Sequence, residues 1–211
     1  MTDRPLTIVC LGDSLTGCRP GEPYRHLYLK WTDLLEFALE ARLGRGRAHV
    51  LNAGHAGDCT RAHGDCPGAL ARLRTQVLDA RPDMALVLLG GNNMAPEAPT
   101  ALREAVRPDL VRIGRELLVA GIRPAFLLYP PAQAADETRV WRHLQTANPV
   151  IAAAAAELGI PCLDLGPAFR KAAASGVALD ELRDPVDGVH LRPVGELVLA
   201  RAALGLVSGL I

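Results

Sequence analysis

Aromatic side chains are scarce: Phe, Trp and Tyr make up 4% of the 211 residues. That leaves no stock of flat rings for stacking single-stranded nucleic acid. An excess of charge is missing too. Lys and Arg number 23, Asp and Glu number 23, and the formal net charge is zero. Nothing here attracts nucleic acid or an anionic membrane surface in bulk. The opening MTDRPLTIVCLGDS has no long apolar run before a small-residue cleavage site, so no signal peptide is expected. The apolar tail from Leu197 to Ile211 is broken by Arg201 and is too short to span a bilayer. The five cysteines are odd in number and scattered, which fits free thiols in a reducing, cytoplasmic setting. Internal repeats and low-complexity linkers are absent. With 49% hydrophobic residues, the sequence reads as one domain over 1–211 with a full-sized core.

What is present is alternation. Short apolar runs at Leu6–Leu11, Ala48–Leu51, Met84–Leu89, Pro124–Tyr129 and Ile160–Leu165 read as five strands. Met84–Leu89 is unbroken, as in a central strand covered on both faces. Helical spacing places helices over 28–43, 68–80, 100–120, 137–158, 167–174 and 193–206. Pro149 should kink or divide the fourth of these. The stretch from 175 to His190 reads as irregular. Strand–helix alternation implies parallel pairing with right-handed crossovers, hence an α/β fold built as a three-layer α/β/α sandwich.

The first three strands end in glycine-rich polar turns: Gly12-Asp13-Ser14, Gly54-His55-Ala56-Gly57 and Gly90-Gly91-Asn92-Asn93. In a parallel sheet these ends share one edge, where open α/β sheets bind their ligands. Taken alone, Asp13, Ser14 and Thr16 read as caps for the next helix. Asp187 and His190, three residues apart near the C-terminus, add a carboxylate and an imidazole. A serine hydroxyl becomes a competent nucleophile when a base takes its proton. His190 suits that task near neutral pH, and Asp187 is placed to fix its tautomer. The Ser14 amide, the Gly57 amide and the Asn92 carboxamide are candidate donors to an oxyanion.

Four blocks, Gly12-Asp13-Ser14-Leu15, Asn52 to Thr60, Gly90-Gly91-Asn92-Asn93 and Asp187-Gly188-Val189-His190, resemble those of the SGNH hydrolases, the GDSL esterase/lipase family. They stand in the family's order and span nearly the whole chain. The resemblance implies a flavodoxin-like sandwich, catalytic Ser14, Asp187 and His190, and an oxyanion hole of Ser14, Gly57 and Asn92. It also implies hydrolysis of small-molecule esters or thioesters without cofactor or metal. Asp187 is preferred over Asp184 because its spacing to His190 matches the family. Two departures stand out: Asn93 replaces the family's usual aspartate, and Leu191-Arg192 separate His190 from Pro193. Asn93 is expected to cap the following turn at the loss of a charge.

Other readings compete for some of these residues. Thioester cleavage or acyl transfer suits the same triad, and a catalytically weak binding scaffold would account for Asn93. His55, Cys59 and His63 fall at helical spacing and, with Cys66, suit zinc by type, although the intervening glycines speak against a helix. Export would allow a Cys59–Cys66 disulfide. Cys10 and Cys162 read as small core residues. The loop from 17 to 27 and the cluster Tyr24, His26, Tyr28 and Trp31 read as either plain surface or a rim over Ser14. Arg19, Arg25 and Arg61 read as solvated surface charges ahead of the alternative, contacts to an anionic substrate group.

Overall fold

The computed structural model describes residues 4–17, 29–131, 143–185 and 187–211. The expected loop at 17–27, with Tyr24, His26, Tyr28, Arg19 and Arg25, therefore lies almost wholly outside the described residues.

Five strands form one all-parallel sheet: β1 (Leu6–Gly12), β2 (Ala48–Gly54), β3 (Met84–Leu88), β4 (Arg123–Leu128) and β5 (Cys162–Asp164). The order is β2-β1-β3-β4-β5, the doubly wound order with a switch point between β1 and β3. All five side chains of β3 are buried, as an unbroken apolar run in a covered strand requires. Each such Val, Leu or Met stabilises the fold by about 1.5–3 kcal/mol before chain entropy is counted.

The helices are α1 (Trp31–Leu43), α2 (Ala69–Leu73), α3 (Thr100–Glu104), α4 (Val106–Val119), α5 (His143–Thr146), α6 (Asn148–Leu158), α7 (Gly166–Ala174), α8 (Leu179–Leu182) and α9 (Pro193–Ser208). Helix α1 packs on α9, which also takes α7 and α8; α4 packs on α6 and α2. These two groups cover opposite faces of the sheet and complete a three-layer α/β/α sandwich. Among the described residues, no helix is long and apolar enough to cross a membrane.

Several boundaries differ from the sequence pattern. The expected 100–120 helix breaks at Ala105, because Pro108 lacks the amide that would donate to Glu104. Pro149 likewise sits in the first turn of a new helix, α6. The second helix continues as a π-helical turn over Arg74–Leu78. Strand β2 runs three residues beyond Leu51, because its backbone stays paired to β1 as far as Gly54. Helix α8 occupies part of the stretch read as irregular. Cys10 is buried, but Cys162 is exposed: β5 is an edge strand and one side of it meets solvent.

Candidate active site

Sheet register fixes where the polar turns meet. Gly12 is paired with Gly54 on one side and Leu88 on the other. The turns that follow β1, β2 and β3 therefore leave the same edge side by side. At β1 the chain folds back at once: the amides of Thr16 and Gly17 donate to the Asp13 carbonyl at 3.0 and 2.8 Å. The Leu15 amide donates to Asp13 Oδ1 at 3.0 Å. The Trp31 indole reaches from α1 to donate to the Leu15 carbonyl at 3.2 Å. This turn holds Ser14 half-buried at the lip of the edge.

The last loop comes to meet it. An antiparallel bridge between Arg183 and Leu191 closes the segment, and the Asp184 amide donates to the His190 carbonyl at 2.8 Å. Inside it, the amides of Val189 and His190 donate to Asp187 Oδ1 at 2.8 and 2.9 Å. That leaves Oδ2 to accept from His190 Nδ1 at 2.6 Å. With the Nδ1 proton held there, Nε2 is the basic nitrogen, and Ser14 Oγ lies 2.9 Å from it. Burial pushes the His190 imidazole down, but the hydrogen bond and charge of Asp187, with a smaller pull from Asp13, outweigh it and the net shift is upward. Burial pushes Asp187 up, but hydrogen bonds from His190 and the two amides hold it below the ordinary carboxylate range. The pair is thus tuned to keep the carboxylate charged and the ring basic.

Beside Ser14 stand the turns after β2 and β3. Gly57 has φ 73°, a conformation that a side chain makes strained. Neither the Ser14 amide nor the Gly57 amide donates to an acceptor among the described residues. The Asn92 carboxamide donates one hydrogen to the Asp58 carbonyl at 3.0 Å, and its second amide hydrogen meets no acceptor among the described residues. Asp58 is itself fully buried. Its carboxylate accepts from the Gly68 amide at 3.0 Å and from Arg72 Nε at 2.7 Å. Arg72 also donates to the carbonyls of Gly12, at 2.9 Å, and Ala53. One buried guanidinium therefore ties together the ends of β1 and β2.

Asn93 does not serve as a simple cap. It is fully buried and turned inward. Its Oδ1 accepts from the Thr60 amide at 3.0 Å, and its Nδ2 donates to Thr60 Oγ1 at 2.9 Å and to the Leu102 carbonyl at 3.1 Å. The Thr60 hydroxyl in turn donates to Asp109 Oδ2 at 2.8 Å. Arg61, an exposed charge as expected, also clamps that carboxylate with contacts of 2.7–2.9 Å. An aspartate at this position has no donor for the Leu102 carbonyl; asparagine is the residue that fits these neighbours.

Residues 55–66 are not helical, so the spacing of His55, Cys59 and His63 does not bring them to one face. Among the described residues, no group of three or more His, Cys, Asp or Glu is arranged to hold a metal ion. Cys59 is buried, and burial, with Cys66 and Asp58 nearby, pushes its thiol up to about 12.

Four supports of this edge escape a reading of the sequence. Asp58 and Arg72 form the tie just described, Glu196 from α9 accepts from Lys30 and from the Trp31 amide, and Tyr129 accepts from the Gly91 amide at 3.0 Å and donates to Asp13 Oδ2. Their one signal is a charged or polar residue inside an apolar pattern: Arg72 in Ala69–Leu73 and Glu196 in α9.

No curated protein matches the sequence significantly. Solved structures resemble its fold. An α/β hydrolase enzyme from the metagenome of Lake Arreo, Spain, superimposes with a TM-score of 0.75 at 19% identity, over 97% of this chain and 96% of that one. An acetylxylan esterase from Geobacillus stearothermophilus does so at 0.73 and 19% identity, over 96% and 94%. Residues 10–196 match the model of one family, a span that takes in all four of the quoted blocks and ends in the first turn of α9. The chain belongs to the GDSL-like lipase/acylhydrolase family and is an ester hydrolase of that type.

Proposed function

We propose that this chain is a serine hydrolase, one domain over 1–211, that cleaves carboxylic esters of small or medium acyl groups through a Ser14–His190–Asp187 triad. The observation that carries this reading is the unbroken relay, 2.6 Å from Asp187 to His190 and 2.9 Å from His190 to Ser14, at a lip where two backbone amides meet no acceptor among the described residues. Ser14 Oγ attacks the acyl carbonyl as His190 Nε2 takes its proton. Asp187 steadies the imidazolium that forms. Charge gathers on the former carbonyl oxygen, which the amides of Ser14 and Gly57 and the spare hydrogen of Asn92 stabilise. The C–O bond breaks and the alcohol leaves with the proton from His190. Water then attacks the acyl-enzyme with His190 again as base; the Ser14 Oγ–acyl bond breaks, the carboxylic acid leaves, and Ser14 Oγ takes the proton back from His190.

The acetylxylan esterase likeness makes acetylated carbohydrates the first natural substrates to try, after a panel of short acyl esters. A cytoplasmic setting belongs to the same reading and rests on the odd, scattered cysteines. The test is active-site labelling with a fluorophosphonate and mapping of the adduct. An adduct on Ser14 that disappears in His190→Ala, with ester turnover abolished in Ser14→Ala, is the expected result. Undiminished turnover by Ser14→Ala overturns it.

A further inference from the structure

The relay and the donor group stand on loops after β1, β2 and β3 and before α9. Strand β4 supplies none of their residues, yet the side chain just past its end lies beneath them. Tyr129 is almost fully buried. Its hydroxyl donates to Asp13 Oδ2 and accepts from the Gly91 amide at 3.0 Å. Asp13 is the residue before Ser14, and Gly91 is the residue before Asn92. The two turns are far apart in the chain, and the backbone pairing of β1 with β3 ends at the Asp13 amide, which donates to the Leu88 carbonyl at 3.3 Å, short of Ser14 and Asn92.

Tyr129 is itself held. Its amide donates to Asn148 Oδ1 at 2.8 Å, and Asn148 Nδ2 donates back to its carbonyl at 2.9 Å. This two-way amide clamp fixes the backbone from the first turn of α6. The ring also shapes the turn above it. A Cβ at Gly91 would stand 2.8 Å from Tyr129 Cζ and 2.6 Å from a Leu144 methyl. Gly91 is therefore glycine because the phenol occupies the space a side chain needs.

We propose that Tyr129 is a positioning residue of the reaction: its one hydroxyl locks the turn that carries Ser14 to the turn that carries Asn92, and holds the Asp13 carboxylate beneath His190. The proposal rests on the Ser14 reading above. Asp13 is fully buried and sits at about 6, raised by burial and opposed by the bonds from Tyr129 and the Leu15 amide and by the charge of His190. Besides Tyr129 after β4, it faces His190 before α9 and Asp58 and Cys59 after β2. His190 in turn faces Asp187, Asp13 and, from the start of α1, Lys30. Without the phenol, the Asp13 carboxylate keeps, among the described residues, the Leu15 amide alone. It then takes up a proton at higher pH, and its support for the imidazolium goes.

The experiment measures kcat and KM against pH for wild type, Tyr129→Phe and Asp13→Asn, with fluorophosphonate labelling of Ser14 in each. Tyr129→Phe is expected to lower kcat about ten- to a hundred-fold, to leave KM within about twofold, and to move the acid limb of kcat/KM to lower pH. Asp13→Asn removes the charge directly and moves the limb the same way. If Tyr129→Phe only lowers Tm while kcat and the limb match wild type, the role is structural and the proposal is overturned. If Tyr129→Phe does not fold, the unmoved limb of Asp13→Asn overturns it equally. Labelling separates the two failures: wild type that labels at Ser14 keeps the triad reading whatever Tyr129 does, and wild type that does not label sinks both.

Discussion

Replacing Asn93 by aspartate restores the residue usual at that place in the family pattern, and the structure predicts that it harms this protein. The Asn93 side chain makes three hydrogen bonds in a fully buried setting. Aspartate keeps the one it accepts, from the Thr60 amide. It loses both that Asn93 donates, at about 1 kcal/mol each, and turns a charged oxygen toward the Leu102 carbonyl. Thr60 offers no rescue, since its proton already goes to Asp109. The total is about 3 kcal/mol at pH 8, or a drop of roughly 6–12 °C in Tm for a chain of this size. The sign with pH follows from linkage. The unfolded chain releases the new carboxyl proton near pH 4, while burial and the charge of Asp109 delay that release in the folded state. The deficit is therefore smallest below about pH 4, where the protonated carboxyl of Asn93→Asp still offers one donor, and grows as pH rises. Urea melts of wild type and Asn93→Asp at pH 5 and pH 8 measure it. A variant as stable as wild type at pH 8 refutes the reasoning and returns Asn93 to a mere loss of charge.

Further predictions rest on the same contacts. Asp187→Asn leaves the ring in place but presents the wrong tautomer, and kcat should fall about a thousand- to ten-thousand-fold; a loss under tenfold in steady-state assays contradicts the relay. The acid limb of kcat/KM should lie above the ordinary imidazole value of 6.5, because the Asp187 partnership raises His190 against its burial; activity then rises as pH climbs through that limb, and a limb below 6.5 in a pH–rate profile tells against it. Arg72→Ala strands the buried Asp58 carboxylate and frees the ends of β1 and β2, which should cost about 3–5 kcal/mol in denaturant melts. Asp13, at about 6 when folded against 3.8 ordinarily, keeps a proton that the unfolded chain releases, so its contribution to stability is lost as pH rises from about 4 to 6; Asp13→Asn should flatten that part of the stability–pH curve.

The parts of this molecule that are legible in sequence are the local ones. Strands β1 and β3 announce themselves because a covered parallel strand is a continuous apolar run. Asp187 and His190 lie within one turn, so three residues of spacing suffice to unite them. Ser14 and His190 are 176 residues apart; their meeting is legible only because both stand at strand or helix ends on one edge of a parallel sheet. What stays hidden depends on partners that no pattern links. Tyr129 reads as the last apolar residue of a strand, and its partner Asp13 lies 116 residues away. Arg72 reads as an interruption in a short helix until its carbonyl partners on β1 and β2 are in place. Asn93 reads as a missing charge because its acceptor, the Leu102 carbonyl, belongs to backbone that sequence does not label. Pro108 is visible in the sequence, but whether a proline kinks or divides a helix is decided by packing.

The edge that carries Ser14, Asn92 and His190 has an energetic oddity that explains its order. Asp13, Asp58, Asp109 and Glu196 are all buried around it, and each is satisfied by a partner from a different element: Tyr129 after β4, Arg72 in α2, Thr60 and Arg61 in the loop after β2, Lys30 ahead of α1. Such pairs contribute little net stability, because desolvation of the charges offsets their attraction. Breaking one is a different matter, since a lone carboxylate in the core costs several kcal/mol. The consequence falls on alternatives to the native arrangement. A loop that drifts from its place strands a carboxylate, so drift is penalised even where no apolar contact is lost. The turns after β1 and β2 and the first turns of α4 and α9 are thereby each tied to a neighbouring element. That matters because a displacement of about 1 Å between reacting groups costs on the order of a hundredfold in rate, and a hydrophobic core beneath the loops has no directional bond with which to prevent it.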